Sequence, residues 1–255
     1  MIFERSQSAR KKAQDLMWQA MEIIGHDNGR AADLCRQALR IYSNCVDALT
    51  MLAELELDHV RDYIEAMRHA VQAGRQDLGS DYFKHERGNF WLLIETRPLM
   101  RAMAQLVDGL LQWGTAVCID EAIEIQEEML ALNPNDNQGM RDTLTGCYLQ
   151  RKRYNDAETL LKRYENNWMA VPCWARVLLA HTTGYQKRAD SLLAIARKQN
   201  PQVELYLTNQ KRRPRQRPDY YSPGDDTEAI YCADTLWEAW KKHPKAKQWL
   251  KSACT

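Results

Sequence analysis

Apolar residues recur at three- and four-residue spacings along most of the 255-residue chain, and short polar joints interrupt them. That period puts the apolar positions on one face of a helix. The joints set the helices out in pairs. "KKAQDLMWQAMEII" leads into "GRAADLCRQALRIYSN", and "IDEAIEIQEEMLALNP" and "QKRADSLLAIARKQNP" close later pairs. The pattern predicts five helical hairpins, at about residues 8–44, 46–74, 98–134, 135–167 and 170–201. Four of their second helices share a motif, that of 46–74 being degenerate: a small residue, a larger one four positions on, and a third three beyond that. It reads Ala31, Cys35, Ala38; Ala122, Gln126, Met129; Ala157, Leu161, Tyr164; and Ala189, Leu193, Ala196. Positions four and three apart share a helix face. A small side chain there lets two helix backbones approach, and a larger one fills the groove beside the crossing.

Two segments break the pattern. Residues 75–97 form an aromatic, turn-rich insertion. Residues 208–226 hold three prolines among a run of Lys and Arg, which predicts an extended loop. After that loop "DDTEAIYCADTLWEAWKKHP" resumes a helical period, with Asp225 or Asp226 as its N-cap, and with "KAKQWLKSA" it makes residues 226–255 a pair of terminal capping helices.

Composition agrees with an all-α protein, since Ala, Leu, Gln, Arg and Glu abound and only 11 Gly and 8 Pro occur. The net charge of +1 weighs against a strongly basic nucleic-acid binder. No apolar run approaches the ~20 residues of a membrane span, and the first residues carry no apolar leader core. A cytoplasmic location is the default expectation. The seven cysteines, Cys35, Cys45, Cys118, Cys147, Cys173, Cys232 and Cys254, include no Cys-x-x-Cys pair. They read as small buried hydrophobes in a reducing compartment, not as disulfides or metal ligands.

The dipeptide Asn-Pro occurs at 133–134 and 200–201, so the prolines stand 67 residues apart, close to twice a 34-residue period. With the shared second-helix motif, this resembles the tetratricopeptide-repeat family. The resemblance implies an all-α, right-handed superhelical array of helical hairpins with a C-terminal capping helix, one solenoid domain over residues 1–255. A narrower resemblance covers about residues 90–250. "ETRPLMRA", "EAIEIQEEMLALNPNDNQGMR", "NPQVELYL" and "GDDTEAIYCA" resemble, in that order, bacterial tetratricopeptide proteins and the cytosolic part of the suppressor-of-tumorigenicity-seven family. That eukaryotic family is membrane-anchored, an attribute not expected of this chain. It has no established catalytic residues to carry over.

In "LNPNDNQGMRD" Pro134 stops one helix, and Asn135, Asp136 or Asn137 is placed to cap the next. Gln138, Arg141, Asp142 and Thr145 then share one face of that helix. In a tetratricopeptide stack first helices line the concave groove, so these residues are either a solvated face or ligand contacts. In "ETRPLMRA" Pro98 fits a first helical turn and Thr96 its N-cap. Glu95, Arg97 and Arg101 form either an ion-pair cluster pinning the insertion or a groove element in which both arginines grip one carboxylate. Trp174 is the aromatic neighbour. No Gly-rich phosphate loop, Gly-x-Ser-x-Gly or His-Glu-x-x-His is present. Glu65 and His69 miss the Glu-x-x-His spacing of helix-bundle metal sites by one position.

The expectation is a non-enzymatic adaptor or scaffold without cofactor, catalytic residues or metal. It would bind a protein or peptide, acidic or ending in a free carboxylate, through Arg97, Arg101, Gln138, Arg141, Asp142 and Trp174. The alternative is a nucleic-acid-associated protein that uses "KRRPRQRP" at 211–218, with the tyrosines after it as stacking rings. A third reading, an enzyme built on the helices, requires a metal or cofactor. The sequence specifies neither the partner nor the oligomeric state.

Overall fold

The computed structural model describes residues 2–216, 218 and 220–253, with side chains from Gln7 onward. Every regular element among them is helical. The chain divides into two compact units, Met1–Gln138 and Gly139–Thr255.

The first unit holds α1 (Ile2–Ile23), α2 (Asn28–Ile41), α3 (Val46–Glu56), α4 (Val60–Leu78), the short α5 (Ser80–His85), a 3₁₀ turn (Ile94–Thr96), α6 (Arg97–Trp113) and α7 (Ala116–Leu132). Each long helix packs on the next, α4 directly on α6. The small residues set these approaches. Ala31, Cys35 and Ala38 of α2 are fully buried with Ala13, Met17 and Ala20 of α1. A Cβ on Gly109 of α6 would stand 3.1 Å from Ile64 of α4, and one on Gly74 of α4 3.1 Å from Leu99 of α6. Two fork-like ion pairs tie α4 to α7: Arg68 to Glu121, with Nε 2.8 Å from Oε1, and Arg75 to Glu128, at 2.7 Å. Asp27 and Thr115 cap α2 and α7 by accepting from the Arg30 and Cys118 N–H groups.

The aromatic insertion is shorter than the sequence predicted, because α4 continues to Leu78. Phe90 is its buried core, against Phe83 and Tyr82, and its N–H donates to the Leu132 carbonyl at the end of α7. Thr96 occupies the N-cap position of α6 but does not cap with its side chain. Its hydroxyl instead donates to the Phe90 and Leu93 carbonyls and closes the insertion on itself.

The second unit holds α8 (Met140–Gln150), α9 (Tyr154–Arg163), α10 (Ala170–Thr182), α11 (Gln186–Gln199), the short α12 (Gln202–Leu207), α13 (Asp226–Lys241) and α14 (Pro244–Ser252). Ala157, Ala189 and Ala196 are fully buried. The expected caps Asn135, Asp136 and Asn137 do not cap α8, whose N-cap is Gly139 at φ 75 with no side-chain hydrogen bond. The physical reason is that the joint spends its amide-rich stretch on a turn first, with Asp136 at φ 52 donating its N–H to the Asn133 carbonyl. Only glycine then reaches the left-handed conformation at Gly139 without steric cost.

Helix α13 is more than a terminal cap. It packs against α8, α10, α12 and α14. Its Ala229, Cys232, Ala233, Leu236 and Trp240 are buried, so it forms part of this unit's core. Of the two expected caps, Asp225 is the N-cap, accepting from the Thr227 and Glu228 N–H groups, and Asp226 is the first residue of the helix.

Candidate functional site

A cavity of about 380 Å³ opens in the first unit. Its walls are α1, through Arg10, Gln14, Trp18 and Met21; the joint from Tyr42 to Asp47; the end of α4; and residues 94–101 at the start of α6. Both arginines of "ETRPLMRA" reach it, and within the protein each has different partners. Arg101 pairs with Asp47, Nη2 to Oδ1 at 2.7 Å, and Asp47 is buried. Arg97 donates from Nε to the Trp91 carbonyl at 3.1 Å and lies over the Trp91 ring at 5.6 Å.

The remaining charges are held in place. Arg10 pairs with Asp77, which also accepts from the Tyr42 hydroxyl. Glu95 accepts from the Tyr82 hydroxyl at 2.9 Å. Hydrogen bonds from its own backbone N–H and from Tyr82 hold its carboxyl below the usual range. Tyr82, partly desolvated and donating to that carboxylate, is pushed up to about 12. Burial pushes the Cys45 thiol in the wall up to about 11, so it is a protonated wall residue and no nucleophile.

Among the described residues no carboxylate pairs with Arg97. It borders a cavity whose rim carries Trp18, Met21 and Ile94 at 58%, 42% and 76% exposure. These three side chains were missed in the sequence, although the signal was there. Trp18 and Met21 stand one position beyond Met17 and Ala20 of the buried stripe, with helical spacing of their own. They form a second apolar stripe that the pair α1–α2 does not need for its core. Gln138 serves the fold: its Nε2 donates to the Met100 carbonyl of α6 at 3.0 Å.

The other sequence candidates lie in the second unit, and burial changes their meaning. Asp142 and Thr145 are buried, not on a solvated face, and the Thr145 hydroxyl donates to the Arg141 carbonyl at 2.7 Å. Trp174 is fully buried, so its ring is core and offers no face to a partner. The cause is α13, which packs directly on α8 and α10. At Gly146 of α8 a Cβ would fall 2.5 Å from the Thr235 carbonyl of α13, so the two backbones nearly touch. Burial pushes the Cys232 thiol of α13 well up, and the nearby Asp142 and Glu228 charges add to it. Arg141 lies over the Tyr164 ring, 5.0 Å from its centroid.

"NPQVELYL" and "GDDTEAIYCA" meet in one polar knot. The buried Glu228 carboxylate accepts from the Ala170 N–H at 2.9 Å, the Gly224 N–H at 2.7 Å and Asn200 Nδ2 at 3.0 Å. Tyr206 donates to Asp226 at 2.9 Å, and Arg197 forks onto Glu204 at 2.6 and 2.5 Å. This knot fixes α13 to the ends of α10 and α11.

The basic loop spends two of its cations internally. Lys211 pairs with Asp226 at 2.6 Å. Arg213 pairs with Asp234 and lies 3.8 Å over the Trp237 ring. Arg217, part of the predicted 211–218 stretch, lies outside the described residues. The described residues hold no cluster of metal-ligating side chains, and no helix among them is long and apolar enough to cross a membrane. No protein-family model matches the chain, and a search of the curated proteins found no match.

Proposed function

We propose that the chain is a non-enzymatic adaptor of the tetratricopeptide kind, whose helix pairs stack as repeats. In this reading the first unit's cavity takes a protein segment that ends in, or carries, a carboxylate next to an apolar side chain. The observation that carries the reading is Arg97. Its guanidinium is held in place by the Trp91 carbonyl and ring, has no carboxylate partner among the described residues, and borders an exposed apolar rim. A guanidinium presents five N–H donors in a fixed fork that matches a carboxylate, and holding it in advance lowers the entropic cost of binding. Exposed Trp and Met are adaptable anchors for a partner's apolar side chain. The free thiols of the six described cysteines support the cytoplasmic, reducing setting in the proposal.

The test is a screen of a library of peptides with free C-termini against the intact protein, repeated with Arg97→Ala and with Trp18→Ala. Selected peptides should share a terminal or side-chain carboxylate beside an apolar residue. Each substitution should weaken them about tenfold or more, the scale of one charge-assisted hydrogen-bond pair or one aromatic anchor. Ligands indifferent to both substitutions would sink the proposal.

A further inference from the structure

The cations of the second unit are not spread evenly. Residues 211–217 hold five Lys or Arg in seven positions and no Asp or Glu, and residues 239–253 hold five lysines and again no acid. The fold brings the two stretches together on one ring. The basic loop is strapped along a stripe of α13: Arg213 pairs with Asp234 and lies 3.8 Å over the Trp237 ring, and Tyr221 stacks on Tyr231 at 4.7 Å. Tyr231, Asp234, Trp237 and Lys241 stand three or four residues apart, so they share one face of that helix. From α14, Lys247 reaches the same Trp237 ring at 4.4 Å. Lys251, four residues on, shares the face of Lys247. Burial lowers the Lys247 pKa, and the charges of Lys251 and Arg213 lower it further.

The carboxylates of this stripe are taken. Asp234 holds Arg213, and Glu238 holds Lys241. Arg212, Arg215, Lys247 and Lys251 have no carboxylate partner among the described residues, and all but Lys247 are exposed. What remains is a line of cations with rings set among them: Trp237 under Arg213 and Lys247, the Tyr221–Tyr231 stack, and Tyr220, which is 80% exposed. We infer that this surface binds a single strand of nucleic acid, with phosphates on Arg212, Arg215, Lys247 and Lys251 and a base on the Tyr220 ring. Phosphates spaced along a strand suit separate point charges, and every base has a face to stack on a bare ring, so the site reads no sequence. A bilayer fits less well. An interfacial helix needs an apolar face, and neither Trp249 nor Leu250 of α14 is exposed. The net charge of +1 averages this patch with acids elsewhere in the chain. A strand responds to the local charge, and each phosphate neutralised adds to affinity. The surface shares no residue with the Arg97 cavity and goes beyond the proposed function.

The test uses fluorescence anisotropy on the intact protein with dye-labelled oligothymidylate. A polyglutamate peptide of equal charge and vesicles containing phosphatidylserine serve as comparisons. Oligothymidylate should bind at low salt, and the logarithm of its affinity should fall linearly with the logarithm of salt concentration. Arg215→Glu and Lys251→Glu, both at exposed positions, should each weaken it about tenfold or more and make that fall less steep. Tyr220→Ala should weaken it about fivefold or more, the lower end of what one base–ring stack supplies. Lys12→Glu on α1 makes the same change of net charge on the first unit and should have little effect. The inference is overturned by any of four results: no binding of oligothymidylate at low salt, equal losses in Lys12→Glu and the two surface variants, no effect of Tyr220→Ala, or tighter binding of polyglutamate or of the vesicles.

Discussion

Asn200 and Glu228 stand 28 positions apart and meet at 3.0 Å inside the protein. The Glu228 carboxylate accepts from three donors of three different segments, so its loss leaves each of them without that partner. Burying an unpaired donor costs about 1–3 kcal/mol. Glu228→Ala should therefore cost about 3 kcal/mol or more, measured by urea unfolding; a cost under 1 kcal/mol would mean that the knot does not hold α13. Gly146 makes a steric case of the same kind. Gly146→Ala places a Cβ 2.5 Å from a backbone carbonyl, which has no flexible end to yield. It should destabilise by about 1–3 kcal/mol as overpacking does. Gly29→Ala, where the nearest atom is an Asp27 oxygen at 3.7 Å, should instead be neutral or stabilising by up to about 1 kcal/mol. Equal effects at the two glycines would refute the close α8–α13 approach.

At the scale of elements, the helix pairs were legible in the sequence because their signals are local. Pro134, Asn133 and the alanine stripes act within one or two turns of their own helix. Ala122, Ala157 and Ala189, singled out by spacing alone, are all fully buried. Replacing any of them by Leu should cost about 1–3 kcal/mol, and three neutral results would show the packing register to be different. What was not legible depends on distant chain. Asp142 and Trp174 read as surface residues until α13 arrives over α8 and α10, and Arg101 finds its carboxylate 54 residues away at Asp47. The docking of α14 on α10 adds a pH dependence. His181 of α10 packs tilted against Trp249 of α14, with ring centroids 4.7 Å apart, and burial lowers its pKa from 6.5. A histidine with a depressed folded-state pKa favours the unfolded state as it protonates. Its contribution is complete above pH 6.5 and is lost as pH falls through the lower, folded value. Stability should thus drop below about pH 6.5 in the wild type and drop less in His181→Phe. Identical pH profiles would remove His181 from the account.

At the scale of the whole molecule, what distinguishes the two units is how each completes its core. The first is built from helices that follow one another in the chain, α1 through α7, and leaves a cavity with an exposed apolar rim. The second borrows α13 from beyond the basic loop and sets it on α8 and α10, burying Trp240 and Leu236 completely. A terminal cap and a core helix make different demands on the chain. Losing a cap frays the nearest helix, whereas losing a core helix exposes apolar area across the unit, at roughly 25 cal/mol per Å². A chain ending at Leu207 decides between them by hydrogen exchange. If α13 is core, amides of α8 and α10 should lose their protection while those of α2, α4 and α6 keep theirs. If α13 is only a cap, protection in α8 and α10 should persist apart from their ends. The same shortened chain bears on function. A ligand of the Arg97 cavity should still bind it with little change, because every wall of that cavity lies between Arg10 and Arg101. Loss of that ligand, with protection in α2, α4 and α6 intact, would move the binding surface away from the first unit's cavity.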